Sequence, residues 1–185
     1  MSATPPRPGY WASGFAPQPA DFNLHINNDI TFLTKKTVFR AWQQTVQSIP
    51  GTSTSTVLTL DTVIEDTYSG WTPGASNKYT AQVDGFYLVI VTYFSNTGNG
   101  AGNMCSAFIN YNNGPFYVNE AIGGQKYPIA STSGWAVQVA VPLFLNASVN
   151  SSVQPMAWQN TGSSINTFSS GINAASTMEV IWMGE

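Results

Sequence analysis

The sequence predicts an all-β protein, an antiparallel jelly-roll sandwich that carries a short N-terminal arm and one helix. Only 8% of its residues are charged, whereas roughly 25% is usual for a globular protein. The polar remainder is mostly Asn, Ser, Thr, Gln and Gly, which favour strands and turns over solvated helices. From Val38 onward the apolar residues recur with a period of two, which is the period of a strand. Together, these two observations favour many short antiparallel strands.

Residues 1–36 precede this pattern and are predicted to form an attachment segment. Residues 1–19 hold five of the eleven prolines, so this arm is expected to be extended, with polyproline character. Its aromatic residues, Tyr10, Trp11 and Phe15, indicate docking into a groove of a partner. Folding of the arm back onto the chain's own domain is the alternative.

Residues 19–34 predict the one helix of the chain. Its apolar residues recur at helical spacing, at Phe22, Ile26, Ile30 and Leu33. A helix of this length is not stable alone. The stripe must therefore pack on the domain, on a partner protein or on other copies of itself.

Residues 37–185 are predicted to form the jelly-roll domain, with about eight to ten short strands. The strands are expected at residues 38–49, 56–64, 79–83, 86–94, 106–111, 116–122, 135–145, 153–158 and 178–183. Pro50 and Gly51 predict a turn, and residues 112–114 predict a tight hairpin. Residues 96–103, which are rich in Gly and Asn, predict a flexible loop.

Two of these strands carry more apolar residues than one face of a sandwich needs. Residues 86–94 are apolar on both faces, and residues 135–145 form the longest stripe of period two. Large exposed apolar patches on folded domains usually mark interfaces. The sequence therefore predicts that the domain associates with itself as a homotrimer.

Charge and composition exclude several classes of function. The net charge is −3, from six basic and nine acidic residues without a basic stripe, so no nucleic-acid partner is expected. No apolar run is long enough to insert into a membrane. The N-terminus lacks the apolar stretch of a signal peptide, so synthesis in a cytoplasm without export is expected.

The residues that most often carry catalysis are scarce. His25 is the single histidine and Cys105 the single cysteine. We expect His25 to be a surface or interface residue and Cys105 a buried structural thiol. One cysteine also excludes an intrachain disulfide and a cysteine zinc cluster. The sequence predicts a protein that is not an enzyme and uses no cofactor.

Asp61, Glu65 and Asp66 form the one acidic cluster of the sequence. Calcium binding is one interpretation, since hard cations need several carboxylate oxygens. The other is a solvated loop after a strand, and we favour it because the spacing matches no calcium loop. No metal site is predicted.

Aromatic and amide side chains together suit carbohydrates, which present apolar patches and hydroxyl groups side by side. The candidate ligand-binding residues are Tyr111, Asn112, Asn113 and Tyr117 in one hairpin and Trp158 in another. The alternative is that these aromatic residues form the core of a trimer.

Residues 58–67 and 78–88 resemble the jelly-roll superfamily of the complement globular head and tumour necrosis factor. Gly85-Phe86-Tyr87 matches the Gly-aromatic-Tyr sequence that opens a buried strand in that superfamily. Residues 135–145 and 178–183 are similar to its penultimate inner strand and its last strand. The resemblance implies a trimer whose inner sheets pack around a threefold axis, and it implies no enzymatic activity.

The N-terminal segment carries a second resemblance. Residues 11–14, 19–23 and 30–33 are similar to the opening segment of minor tail proteins and other virion proteins of tailed phages that infect actinobacteria. This implies a minor tail, fibre or capsid decoration protein that residues 1–36 attach to other virion proteins. The alternative function is a receptor-binding module that recognises a host-surface glycan.

Overall fold

A computed structural model describes residues 37–52, 54–74, 76–96, 103–112, 121–122, 127–129, 135–169, 171 and 174–184. The predicted arm and helix lie outside these residues. So do the candidate residues Tyr10, Trp11, Phe15, Phe22, His25, Ile26, Ile30, Leu33, Asn113 and Tyr117.

Fourteen strands and one short 3₁₀ helix make up the regular structure of the described residues. The strands are β1 (Thr37–Trp42), β2 (Ser48–Ile49), β3 (Thr56–Val57), β4 (Thr62–Asp66), β5 (Trp71–Thr72), β6 (Lys78–Thr80), β7 (Gly85–Ser95), β8 (Asn103–Tyr111), β9 (Ala121–Ile122), β10 (Tyr127–Ile129), β11 (Trp135–Leu145), β12 (Ser152–Gln159), β13 (Ile165–Asn166) and β14 (Thr177–Gly184). The 3₁₀ helix covers Ala147–Val149. No described segment forms a helix long and apolar enough to cross a membrane.

Two antiparallel sheets face each other. The five-stranded sheet has the order β11-β7-β14-β1-β4, so the first and last described strands of the chain, β1 and β14, are neighbours inside it. The seven-stranded sheet has the order β10-β8-β12-β6-β5, with β3 paired to β12 and β9 paired to β8. Strands β2 and β13 form a separate small sheet. This is the predicted jelly-roll sandwich, and the fold class is confirmed.

The core lies between the inner faces of the two sheets, where every second residue of a strand points. In β7 these inward side chains include Tyr87 and Tyr93, both fully buried, and across the core β8 contributes Cys105 and Ile109. Burial raises the pKa of the Cys105 thiol to about 12, so the thiol is un-ionised and unreactive at neutral pH. The prediction of a buried structural cysteine is confirmed.

The predicted strand over 38–49 is broken in the middle. The backbone N–H groups of Gln44 and Thr45 donate to the two carboxylate oxygens of Asp61, at 2.6 and 2.9 Å. Gln47 is bound on several sides: its Nε2 donates to the Val57 carbonyl at 2.8 Å, and its Oε1 accepts from the Thr59 N–H at 2.9 Å. Side chains therefore satisfy the backbone here, and only β1 and β2 remain as strands.

One further predicted strand has different bounds. The strand expected to reach Val83 ends at Thr80, although the Ala81 N–H still bonds to the Ser151 carbonyl at 2.9 Å, in the register that pairs Thr80 with Ser152. The hairpin predicted at residues 112–114 lies mostly outside the described residues. Within them, Asn110 of β8 pairs with Ala121 of β9.

Asn112 is held at the end of β8 by contacts with β12. The residue adopts a positive φ of 55°, which Asn tolerates better than most residues. Its N–H donates to the Ser152 carbonyl at 2.8 Å, and its Oδ1 accepts from the Ser152 N–H at 2.9 Å. Asn112 therefore fixes the end of β8 to β12.

Candidate self-association surface

The outer face of the five-stranded sheet, which points away from the core, is the candidate functional surface. Four successive rows of side chains cross it, each row made of residues paired between neighbouring strands. The rows contain Gly184, Phe86 and Phe144 in the first; Ile181, Leu88 and Pro142 in the second; Arg40, Glu179, Ile90 and Ala140 in the third; and Trp42, Thr177, Thr92 and Gln138 in the fourth.

The first two rows are apolar. Phe86 is 49% exposed and Phe144 is 47% exposed, and their rings meet edge to face with centroids 5.3 Å apart. Met183, in the bulge of β14 beside them, is 48% exposed. We call the surface formed by Phe86, Leu88, Pro142, Phe144, Ile181 and Met183 the apolar end of the outer face. It is continuous across three adjacent strands.

The third and fourth rows contain polar side chains. The Arg40 Nε lies 2.8 Å from the Glu179 Oε1, and both side chains are partly exposed. In the fourth row the Gln138 Nε2 donates to the Thr92 Oγ1 at 3.1 Å. Beyond the apolar end, the outer face therefore combines charged and hydrogen-bonding side chains with Ile90 and Trp42.

Gly85 fixes the point at which β7 enters the apolar end. Its φ is +146°, and an added Cβ would lie 2.6 Å from both the Gly184 carbonyl oxygen and the Trp182 Nε1. Only glycine allows the backbones of β7 and β14 to approach this closely. This close approach sets Phe86 directly beside the end of β14, where Met183 lies.

The sequence predicted which strands would carry surplus apolar residues, and both lie on this surface. Residues 86–94 supply Phe86, Leu88 and Ile90, and residues 135–145 supply Pro142 and Phe144. The contribution of Ile181 and Met183 was missed. Their exposure follows from the insertion of β14 between β1 and β7, a long-range pairing that no local pattern reveals.

The candidate ligand-binding residues do not come together in the described part of the chain. Tyr111 packs against the core, and its hydroxyl donates to the Phe144 carbonyl at 3.3 Å. Trp158 pairs with Ser106, whereas Tyr111 pairs with Val153, five residues away on β12. That separation is about 17 Å along a strand. The two aromatic residues also point to opposite faces of the sheet, because Trp158 and Val153, the partner of Tyr111, are an odd number of residues apart on β12.

The three acidic residues accept hydrogen bonds from backbone N–H or hydroxyl groups of the chain. Asp66 accepts from the N–H groups of Gly70 and Trp71 at 2.9 and 3.1 Å, and Glu65 accepts from the Thr67 hydroxyl at 3.1 Å. For Asp61, partial burial acts to raise the pKa, but hydrogen bonds from Thr45 and Gln44 outweigh it and hold the pKa below its usual value. Among the described residues, no three His, Cys, Asp or Glu side chains are grouped as a metal site would require.

The class of fold is that of tumour necrosis factor. The chain aligns with Eiger TNF from S. frugiperda at a TM-score of 0.55 and 12% identity, over 81% of this chain and 95% of the other. It aligns with murine APRIL at a TM-score of 0.54 and 10% identity, over 78% and 98% of the two chains. Similarity at this identity shows a common fold and nothing more.

A phage protein has a weaker similarity. PRD1 vertex protein P5 aligns at a TM-score of 0.48 and 14% identity, over 80% of this chain and 98% of P5. At that TM-score the alignment carries no argument about function. No protein-family model matches this chain. No curated protein matches it either.

Proposed function

We propose that this chain is a non-enzymatic structural protein of a tailed-phage virion, a minor tail, fibre or capsid decoration protein. In this proposal the jelly roll associates as a homotrimer through the outer face of the five-stranded sheet. Residues 1–36 attach the trimer to other virion proteins.

The apolar end of the outer face is the observation that carries the proposal. Monomeric proteins rarely expose two neighbouring phenylalanines, a methionine and aliphatic side chains in one continuous patch. About half of each of the Phe86, Phe144 and Met183 side chains contacts solvent in a single chain. Covering them removes apolar surface from water, which is the main favourable term in most protein association.

A second copy of the chain is the partner that fits this surface. The third row holds one positive and one negative side chain, Arg40 and Glu179, so the face can meet a copy of itself without uniform charge repulsion. The number of copies, three, is taken from the resemblance to the tumour necrosis factor superfamily described above.

The virion assignment rests on the sequence of the N-terminal segment. Residues 11–14, 19–23 and 30–33 carry the resemblance to virion proteins of phages that infect actinobacteria. The 8% content of charged residues fits an external part whose surface is rich in amides and hydroxyls. A structural role also agrees with the state of Cys105, whose burial and raised pKa make it a poor nucleophile.

Light scattering on the purified full chain tests the proposed interface. We expect a trimer at micromolar concentration, and we expect the double variant Phe86→Ser, Phe144→Ser to weaken association by about a hundredfold or more, because buried aromatic residues dominate interfaces. The matched control is Ala136→Ser, at the other end of β11 on the same face, which should leave association unchanged. A stable wild-type monomer would contradict the proposal.

Deletion of residues 1–36 tests the attachment. A chain that begins at Thr37 retains every described strand, so we expect it to fold and to associate as the full chain does. We also expect it to be missing from purified particles when it replaces the full chain during phage assembly. Incorporation of the truncated chain would place the attachment surface on the jelly roll, and unfolding would show that the segment belongs to the core.

A further inference from the structure

Within the part of the chain that the structure describes, strand β11 has a long unpaired edge. Its eleven residues pair on one side with β7 over the whole length, and no other described strand pairs with it. Apolar residues occupy every second position of this strand, from Trp135 to Leu145. A long edge strand of this kind is a template to which another strand can add, and natural proteins usually protect such edges.

Phe94 on β7 shows which backbone groups of β11 face the free edge. Its N–H donates to the Ser176 Oγ at 3.0 Å and its carbonyl accepts from the Phe168 N–H at 2.9 Å, so both point away from β11. The pair between Phe94 and Ala136 therefore has no hydrogen bonds across it. In an antiparallel ladder such pairs alternate with hydrogen-bonded ones.

The ladder between β7 and β11 runs without a register shift, so this alternation extends along it. Every second residue of β11 then turns its backbone groups to the free edge: Ala136, Gln138, Ala140, Pro142 and Phe144. Tyr111 supports this assignment, because its hydroxyl donates to the Phe144 carbonyl at 3.3 Å, from outside the ladder with β7.

Pro142 thus occupies an edge-facing position. It has no N–H to offer an incoming strand, and its ring lies where that strand would approach. The ladder with β7 loses no hydrogen bond at Pro142, because the Pro142 nitrogen points away from β7. The carbonyl of Phe144, the next edge-facing residue, already accepts a hydrogen bond from the Tyr111 hydroxyl. The two residues block the half of the edge that lies next to the apolar end of the outer face.

We propose that Pro142 prevents a second copy of this chain from adding its own β11 to this edge, and so confines self-association to the face of the sheet. Two β11 edges are identical and can pair antiparallel about a twofold axis, as in any isologous contact. In that arrangement each copy of Pro142 faces a carbonyl of the other copy that it cannot satisfy.

The variant Pro142→Thr tests this proposal. It restores one edge-facing donor in each copy and therefore two hydrogen bonds in an edge-to-edge pair, which should tighten that pairing by about thirtyfold. The control Ala140→Thr introduces the same side chain on the same outer face, at a position that already has its N–H. Sedimentation over a range of concentrations should show an added association step for Pro142→Thr and no such step for Ala140→Thr.

Both variants are also made in the Phe86→Ser, Phe144→Ser background, where association through the face is weakened. We expect the added step to persist there, with slowed hydrogen exchange of the Gln138 and Ala140 amides. Pro142→Ala serves as a second donor-restoring variant if the threonine destabilises the fold, which circular dichroism reports. Association and amide exchange identical to wild type would overturn the proposal, as would an added step that disappears in the double-variant background.

Discussion

Part of the outer face of one sheet contrasts in polarity and in exposure with part of the outer face of the other. On the five-stranded sheet, Phe86 and Phe144 are apolar and about half exposed. On the seven-stranded sheet, Asn110 and Gln154 are polar and almost fully buried. At these four residues the usual association of apolar with buried and polar with exposed is reversed.

Hydrogen bonding explains why these two amides are buried. The Asn110 Nδ2 donates to the Gln154 Oε1 at 3.0 Å, and the Gln154 Nε2 donates to the Ser76 carbonyl. A buried amide whose donors and acceptor are paired costs little, whereas an unpaired one costs the full desolvation free energy. The amide pair is therefore satisfied within one chain. The apolar end of the five-stranded sheet is not, because only contact with another surface removes it from water.

The largest effect is expected from breaking the amide pair on the buried face. Gln154→Ala leaves the Asn110 Nδ2 and the Ser76 carbonyl without this partner, and we expect a loss of about 2–3 kcal/mol in the free energy of unfolding. The control Gln138→Ala removes an exposed amide from the other outer face and should change stability by less than about 0.5 kcal/mol. Urea denaturation measures both. Equal effects of the two substitutions would show that the faces do not differ in the way described.

A second substitution in the seven-stranded sheet is expected to change the free energy of unfolding by a smaller amount and in the opposite direction. The Ser106 hydroxyl is buried on the same outer face as Asn110 and Gln154, and it has no hydrogen-bond partner among the described residues. Ser106→Ala removes an unpaired polar group, so we expect the free energy of unfolding to rise by about 1 kcal/mol.

Ser176 provides the matched control for this substitution. It is equally buried, but its hydroxyl accepts from the Phe94 N–H at 3.0 Å. Ser176→Ala should destabilise the protein by about 1–2 kcal/mol, because a buried N–H loses its acceptor. A loss of stability in Ser106→Ala, measured in the same urea titration, would mean that its hydroxyl has a partner after all.

The long strands could be predicted from the sequence because their patterns are local. The predictions for residues 86–94, 135–145, 153–158 and 178–183 match β7, β11, β12 and β14 to within one or two residues. The short strands could be predicted only with less accurate ends. Their ends depend on side chains distant in sequence, such as Asp61, which holds the backbone of Gln44 and Thr45.

The candidate surface was predictable in part for the same reason. An excess of apolar residues in two strands is visible in the sequence. The order of the strands is not, and it decides that Ile181 lies beside Leu88 and that Arg40 faces Glu179. The unpaired edge of β11 also depends on that order, so the role of Pro142 required the structure.

The position of β14 has a consequence for the timing of folding during synthesis. This strand inserts between β1 and β7, so the first described strand of the sheet gains that neighbour only when the last described strand has left the ribosome. Contacts of such large sequence separation form slowly, and partly folded chains expose apolar strands meanwhile. The nascent chain therefore holds β7 and β11 without β14 from the synthesis of Leu145 until β14 has emerged, and this interval is when chaperones have the most to shield.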